Sequence, residues 1–185
     1  MTAPGHRAYS LRLTCVGFLL LVASCASTKK TTIPVDKSQP EIEQLLLLPI
    51  RQGHAGVDQV VRNLQRHYGV DDATALSART NASKAVTLED GIVIRQAFTG
   101  TRTHTPDWDE VAFDLEAKPC LKIERASILT GATKVDESSG SDTVSASVTY
   151  QFRNNAVRMD ITAYAPNPQC VGTVWIYKLA TPKVP

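Results

Sequence analysis

The hydrophobic period changes once along this chain, and that change sets the order of its secondary structure. Before about residue 70 the apolar residues recur with helical spacing. Val57, Val60, Val61, Leu64 and Tyr68 form one stripe, while Arg62, Asn63, Gln65 and Arg66 occupy the opposite side. The spacing predicts a helix over 55–68, with Gly69 just past its C-terminus. From Val86 onward the period is two. An Asp90-Gly91 turn separates Val86-Thr87-Leu88 from the run Ile92–Phe98. Val111, Phe113 and Leu115 alternate next, and Lys118-Pro119 turns the chain into 120–129, where Leu121 and Ile123 alternate with Lys122 and Glu124. Val144, Ala146, Val148, Tyr150 and Phe152 make the clearest strand, and Asn154-Asn155 closes a hairpin onto Val157, Met159, Ile161 and Ala163. The last strand, 170–179, carries Val174 and Ile176 on one face and Trp175 and Tyr177 on the other. A strand apolar on both faces is central or covered on both sides.

Helices followed by strands predict an α+β domain, with N-terminal helices across one face of an antiparallel β-meander of five to seven strands. Three other segments complete it. Residues 41–50, EIEQLLLLPI, are too few to cross a bilayer; they read as a short helix or extended piece that ends at Pro49 and packs on the core, or else offers an apolar strip to a partner. A weaker helix is expected over 72–82, with Asp71 and Asp72 as caps. The acidic, serine-rich run TKVDESSGSD, 133–142, reads as a loop.

Residues 1–24 are of another kind. Arg7 and Arg12 precede an apolar stretch, Leu13–Ala23, and small residues lead into Cys25. That is a secretory signal, shorter than the roughly 20 residues a spanning helix needs. Val22-Ala23-Ser24-Cys25 resembles the lipobox of bacterial lipoproteins. The resemblance implies that the signal is removed and Cys25 becomes an acylated first residue, anchored in a lipid bilayer. Ala26, rather than Asp, after the cysteine resembles the outer-membrane sorting pattern of Gram-negative lipoproteins, with the domain facing the periplasm. Residues 25–40, polar and punctuated by proline, are expected to be a flexible tether, leaving 41–185 as one domain.

Removing the signal changes the charge. The chain has 20 basic and 18 acidic residues; Arg7 and Arg12 are the only charged ones before Cys25, so 18 face 18 in the remainder. No basic excess points to nucleic acid. Of the four cysteines, Cys15 leaves with the signal and Cys25 is the acylation site. Cys120 and Cys170 are then an even pair in an exported protein and predict one disulfide.

Chemistry is sparse. His104, Asp107 and Asp109 share a loop with Trp108, but no second ligand-rich segment completes a shell and the spacing fits no zinc or EF-hand pattern. No metal or cofactor is expected. Nucleophile-elbow, HExxH and phosphate-loop patterns are absent, so a hydrolase is disfavoured and no catalysis is expected. The function that fits is a protein- or ligand-binding module of the cell envelope, either an inhibitor of the immunity type or an accessory of a secretion machine. The alternative is a structural lipoprotein contacting the cell wall. Trp175, Tyr177 and Trp108 are the candidate binding surface. Replacing Cys25 with serine should move the protein from the membrane to the soluble fraction; unchanged fractionation would refute acylation.

Overall fold

The computed structural model describes residues 38–72, 76, 84–100, 109–139 and 146–180. The expected signal, Cys25 and the expected tether up to residue 37 lie outside these residues, as do His104, Asp107 and Trp108. Helices α1 (Glu41–Gln52) and α2 (His54–Tyr68) come first. Then follow β1 (Val86–Thr87), β2 (Val93–Gly100), β3 (Glu110–Leu115), α3 (Ile123–Thr130), β4 (Thr133–Ser138), β5 (Ser147–Arg153), β6 (Val157–Tyr164) and β7 (Val171–Lys178). The strands form one antiparallel seven-stranded sheet in the order β1-β2-β3-β7-β6-β5-β4. The expected meander is present as two runs, β1–β3 and β4–β7, which join where β3 pairs with β7. The doubly apolar strand lies at the centre.

Helix α1 does not stop at Pro49 as its sequence suggested; it continues to Gln52. Proline removes one backbone donor and strains the turn before it, by about 3 kcal/mol. Against this, Ile42, Leu45, Leu46, Leu47 and Leu48 are all buried along this helix, and each buried aliphatic side chain contributes roughly 1.5–3 kcal/mol. Burial wins. The N-terminus is tied down from outside the helix: the Ile42 amide donates to Asp90 Oδ2 (2.8 Å), and the Glu89 amide donates to Glu41 Oε2 (2.9 Å). Carboxylates suit a helix start, where the free amides carry partial positive charge. Leu45–Leu48 thus belong to the core and are not an exposed strip.

Helix α2 buries Val57, Val60, Val61 and Leu64 and ends on Gly69 in the left-handed region, φ 63°. The two helices meet closely at Gly56, where an added Cβ would lie 2.0 Å from the Leu48 carbonyl oxygen. Of the second helix expected over 72–82, Leu76 is described: it is helical and fully buried, and its amide donates to the Asp72 carbonyl (3.2 Å).

Two further expectations are corrected. Residues 123–130 form helix α3, not a strand. Ile123, Ala126, Ser127 and Thr130 are its buried residues, at i, i+3, i+4 and i+7, and Gly131 closes it at φ 68°. Glu124, Arg125, Ala126 and Leu129 are all good helix formers. The four-residue alternation of Leu121–Glu124 is too short to outweigh that stripe. Residues 133–138, expected as a loop, form strand β4. It sits at the sheet edge and is exposed from Thr133 to Glu137, so it needs no apolar alternation.

One hydrophobic cluster joins α1, α2 and α3 to a single sheet face, through Ile94, Ala97, Val111, Phe113, Val174, Ile176, Met159, Ile161 and Ala163. Arg125 of α3 donates from Nε to Glu43 Oε1 of α1 (2.6 Å) and so pairs a carboxylate that is only 5 % exposed. The Cys120–Cys170 disulfide, with Cα atoms 5.4 Å apart, pins the approach to α3 against the start of β7. A loop of this length is worth about 4 kcal/mol in chain entropy.

Gly56 supplies a test of the helix contact. In an exposed helix Gly→Ala gains about 1 kcal/mol, whereas a Cβ inside van der Waals distance of backbone forces the helices apart at a cost of about 1–3 kcal/mol or more. Gly56→Ala should therefore lower stability in urea denaturation; an increase would refute the close crossing.

Candidate interaction surface

The sheet face turned away from the helix cluster carries the residues of interest. Three β-bulges decide which side chains reach it. In β2 the register against β3 shifts between Ile94 and Gln96. Ile94 and Ala97 therefore both join the core, and Gln96 and Phe98 point to the other side. In β7 the pairing with β6 skips Gly172. A Cβ there would meet Tyr164 Cδ2 at 2.8 Å. The third bulge, in β4, lies between Lys134 and Asp136.

With these shifts the face is ordered in rows across the strands. Gln96, Asp114, Thr173, Thr162 and Thr149 are in register from β2 to β5. Asp114, 8 % exposed, accepts from Thr173 Oγ1 (2.7 Å), Arg95 Nη2 (3.3 Å) and Gln96 Nε2, and the Thr149 and Thr162 hydroxyls lie 3.0 Å apart. A buried carboxylate with three donors is satisfied, which holds β2, β3 and β7 in one register.

The neighbouring row holds Phe98, Ala112, Trp175, Asp160 and Gln151. Phe98 meets Trp175 edge to face, with centroids 4.9 Å apart and planes at 77°. Trp175 stacks on Tyr177 at 5.9 Å and 11°. From β6 the Arg158 guanidinium lies 4.1 Å from the Tyr177 ring centroid, with Nη2 3.1 Å from Asp160 Oδ2; Gln151 Nε2 donates to Asp160 Oδ1 (2.8 Å). Such aromatic and cation–π contacts contribute roughly 0.5–2 kcal/mol each. They hold the side chains in place.

Trp175 is half-buried and Tyr177 is 9 % exposed, although neither lies under the helices. Among the described residues they pack on each other, on Phe98 and on Arg158. This is not a bare aromatic patch but a packed stack with a polar surround. Trp108, His104 and Asp107 lie outside the described residues. Asp109 is half-buried; its amide donates to the Gly100 carbonyl (3.0 Å), and its carbonyl accepts from the Lys178 amide (2.8 Å), extending the sheet. Among the described residues no group of three or more His, Cys, Asp or Glu side chains could hold a metal. Two histidines among the described residues serve the fold: His67 Nε2 lies 2.6 Å from Glu41 Oε1, and His54 Nε2 lies within 3.0 Å of the Ala156 and Leu179 carbonyls.

Phe98, Arg158, Asp160 and Asp114 were not singled out in the sequence. Strict alternation from Ile94 puts Phe98 on the core side, and only the bulge reverses it. Arg158 and Asp160 stand in a strand already read as half-polar. Their place beside Tyr177 and Trp175 follows from cross-strand register, which one sequence does not display.

No protein-family model, no curated protein and no solved structure matches the chain. Among the described residues no helix is long and apolar enough to cross a membrane.

Two phenols carry a pH signature. Burial pushes the Tyr177 hydroxyl above its ordinary value, against the pull of the adjacent Arg158. Tyr68, which donates to the Ile94 carbonyl (3.4 Å), is pushed up to about 12, by burial first and the Asp114 charge second. A folded-state pKa raised above the unfolded value contributes stability that is present below the unfolded pKa and lost as pH rises through the folded one. Melting temperature should therefore fall as pH rises from 10 toward 12, and Tyr68→Phe with Tyr177→Phe should flatten the fall. An unchanged slope would show that neither phenol is perturbed.

Proposed function

We propose that this chain is a lipid-anchored protein of the bacterial cell envelope, held through acylated Cys25 at the outer membrane and facing the periplasm, where its domain docks another protein. The location rests on the lipobox resemblance. The docking role rests on one observation: Trp175, Tyr177 and Arg158 are stacked together on the sheet face that the helix cluster leaves aside. Trp, Tyr and Arg are the residue types that carry most binding energy in protein interfaces. Side chains already held in place lose little freedom on binding, which favours affinity. The polar rows beside the stack supply a hydrogen-bonding margin, as interface rims do. An inhibitor of the immunity type and an accessory of a secretion machine both fit this description, and the proposal assigns no catalytic step.

Purification of the full chain from envelope extracts tests it. The wild-type protein should bring down one stoichiometric partner, and Trp175→Ala should weaken that complex at least about ten-fold, as truncation of a central anchor does. Diffuse association with wall material, unchanged by the substitution, would overturn docking at this face and favour a structural role.

A further inference from the structure

The two ends of the sheet are unequal. One closes on β1, only two residues long, whereas the other ends on β4, exposed from Thr133 to Glu137, with Val135 52 % exposed. We propose that the β4 edge pairs antiparallel with β4 of a second copy of this chain.

Register and charge select that partner. Lys134 lies opposite Tyr150 and Glu137 opposite Val148, and both of these partners pack against the core. Lys134 and Glu137 therefore share the helix side of the sheet although they are three residues apart, because Val135 is the extra residue of the bulge. Thr133 and Ser138, opposite Gln151 and Ser147, share the other side. When two copies of an edge strand pair about a two-fold axis perpendicular to the sheet, paired residues must lie on the same face. In an unbroken strand that condition forbids partners an odd number of residues apart. Here the bulge meets it: with the axis between Val135 and Asp136, Lys134 faces Glu137 of the second copy on both sides of the axis, and Thr133 faces Ser138.

Two opposite-charge pairs form and no like-charge pair. A slip of one residue one way sets Lys134 against Asp136 on mismatched faces. A slip the other way sets Asp136 against its own symmetry mate. Opposite charges directly across a ladder stabilise it and like charges destabilise it. Charged residues and a bulge defend an edge against indiscriminate addition of strands; their order in β4 leaves one complementary partner, the same strand reversed. The Lys134–Glu137 ion pair within one copy would open into a four-membered set across the axis.

The test uses the full chain in detergent. Sedimentation should give a dimer for the wild type. Lys134→Glu and Glu137→Lys should each raise the dissociation constant at least about ten-fold, since like charges then face one another, and the two together should restore it. A Val135→Cys variant beside the axis should be trapped as a disulfide-linked dimer on mild oxidation in membranes, which reads the contact even if a charge variant fails to fold. A monomer at every concentration with no trapped dimer would overturn the proposal, as would a dimer indifferent to both single charge reversals.

Discussion

Strand β7 is bonded on one side to β3, from the first run of strands, and on the other to β6, from the second. Without it the chain would hold a three-stranded and a three-stranded piece, each with two bare edges. Its inward residues, Val174 and Ile176, sit in the hydrophobic cluster; its outward ones, Trp175 and Tyr177, carry the stack on the other face. Both its ends are tied elsewhere, by the disulfide at Cys170 and by Lys178, whose Nζ lies 2.6 Å from Asp58 Oδ1 of α2. The candidate surface and the core are two sides of one strand. A change that repacks either is therefore felt by the other, since interiors packed this tightly transmit small displacements.

Above the sheet, α1 plays the matching part. It contacts α2 closely enough that Gly56 cannot carry a side chain without displacing backbone, and it reaches α3 through Glu43 and Arg125. A carboxylate as buried as Glu43 is tolerated because it is paired; removing its partner would leave an uncompensated charge, which costs far more than the pair gains. The pair thus selects the arrangement of the helices more than it strengthens it.

How much of this was legible depended on how far each element buries a periodic face. Helix α2 and the β5–β6 hairpin were readable because Val57, Val60, Val61 and Leu64, or Met159 and Ile161, each present an unbroken apolar pattern to the core. Helix α3 was misread because two of its four buried positions are Ser127 and Thr130, which do not register as apolar. Strand β4 was missed for the opposite reason: an edge strand with exposed side chains has no pattern to show. Pro49 misled because a local rule was outweighed by leucine burial. At the surface, Trp175 and Tyr177 were visible as large side chains on a doubly apolar strand. Phe98 was hidden by a bulge, and Arg158 and Asp114 by register. Local chemistry was open to reading, and cross-strand neighbourhood was not.

The anchorage of α1 has a mechanical meaning. The chain enters the domain at Pro40, and the residues that follow at once are Ile42, bonded to Asp90, and Glu43, bonded to Arg125. Tension arriving along the preceding segment is therefore loaded on the most deeply buried helix, through contacts to a strand turn and to α3 together. It is not spent peeling away a peripheral element. A pull on Pro40 is therefore carried into α1, whose Leu45, Leu46 and Leu48 stand in the hydrophobic cluster.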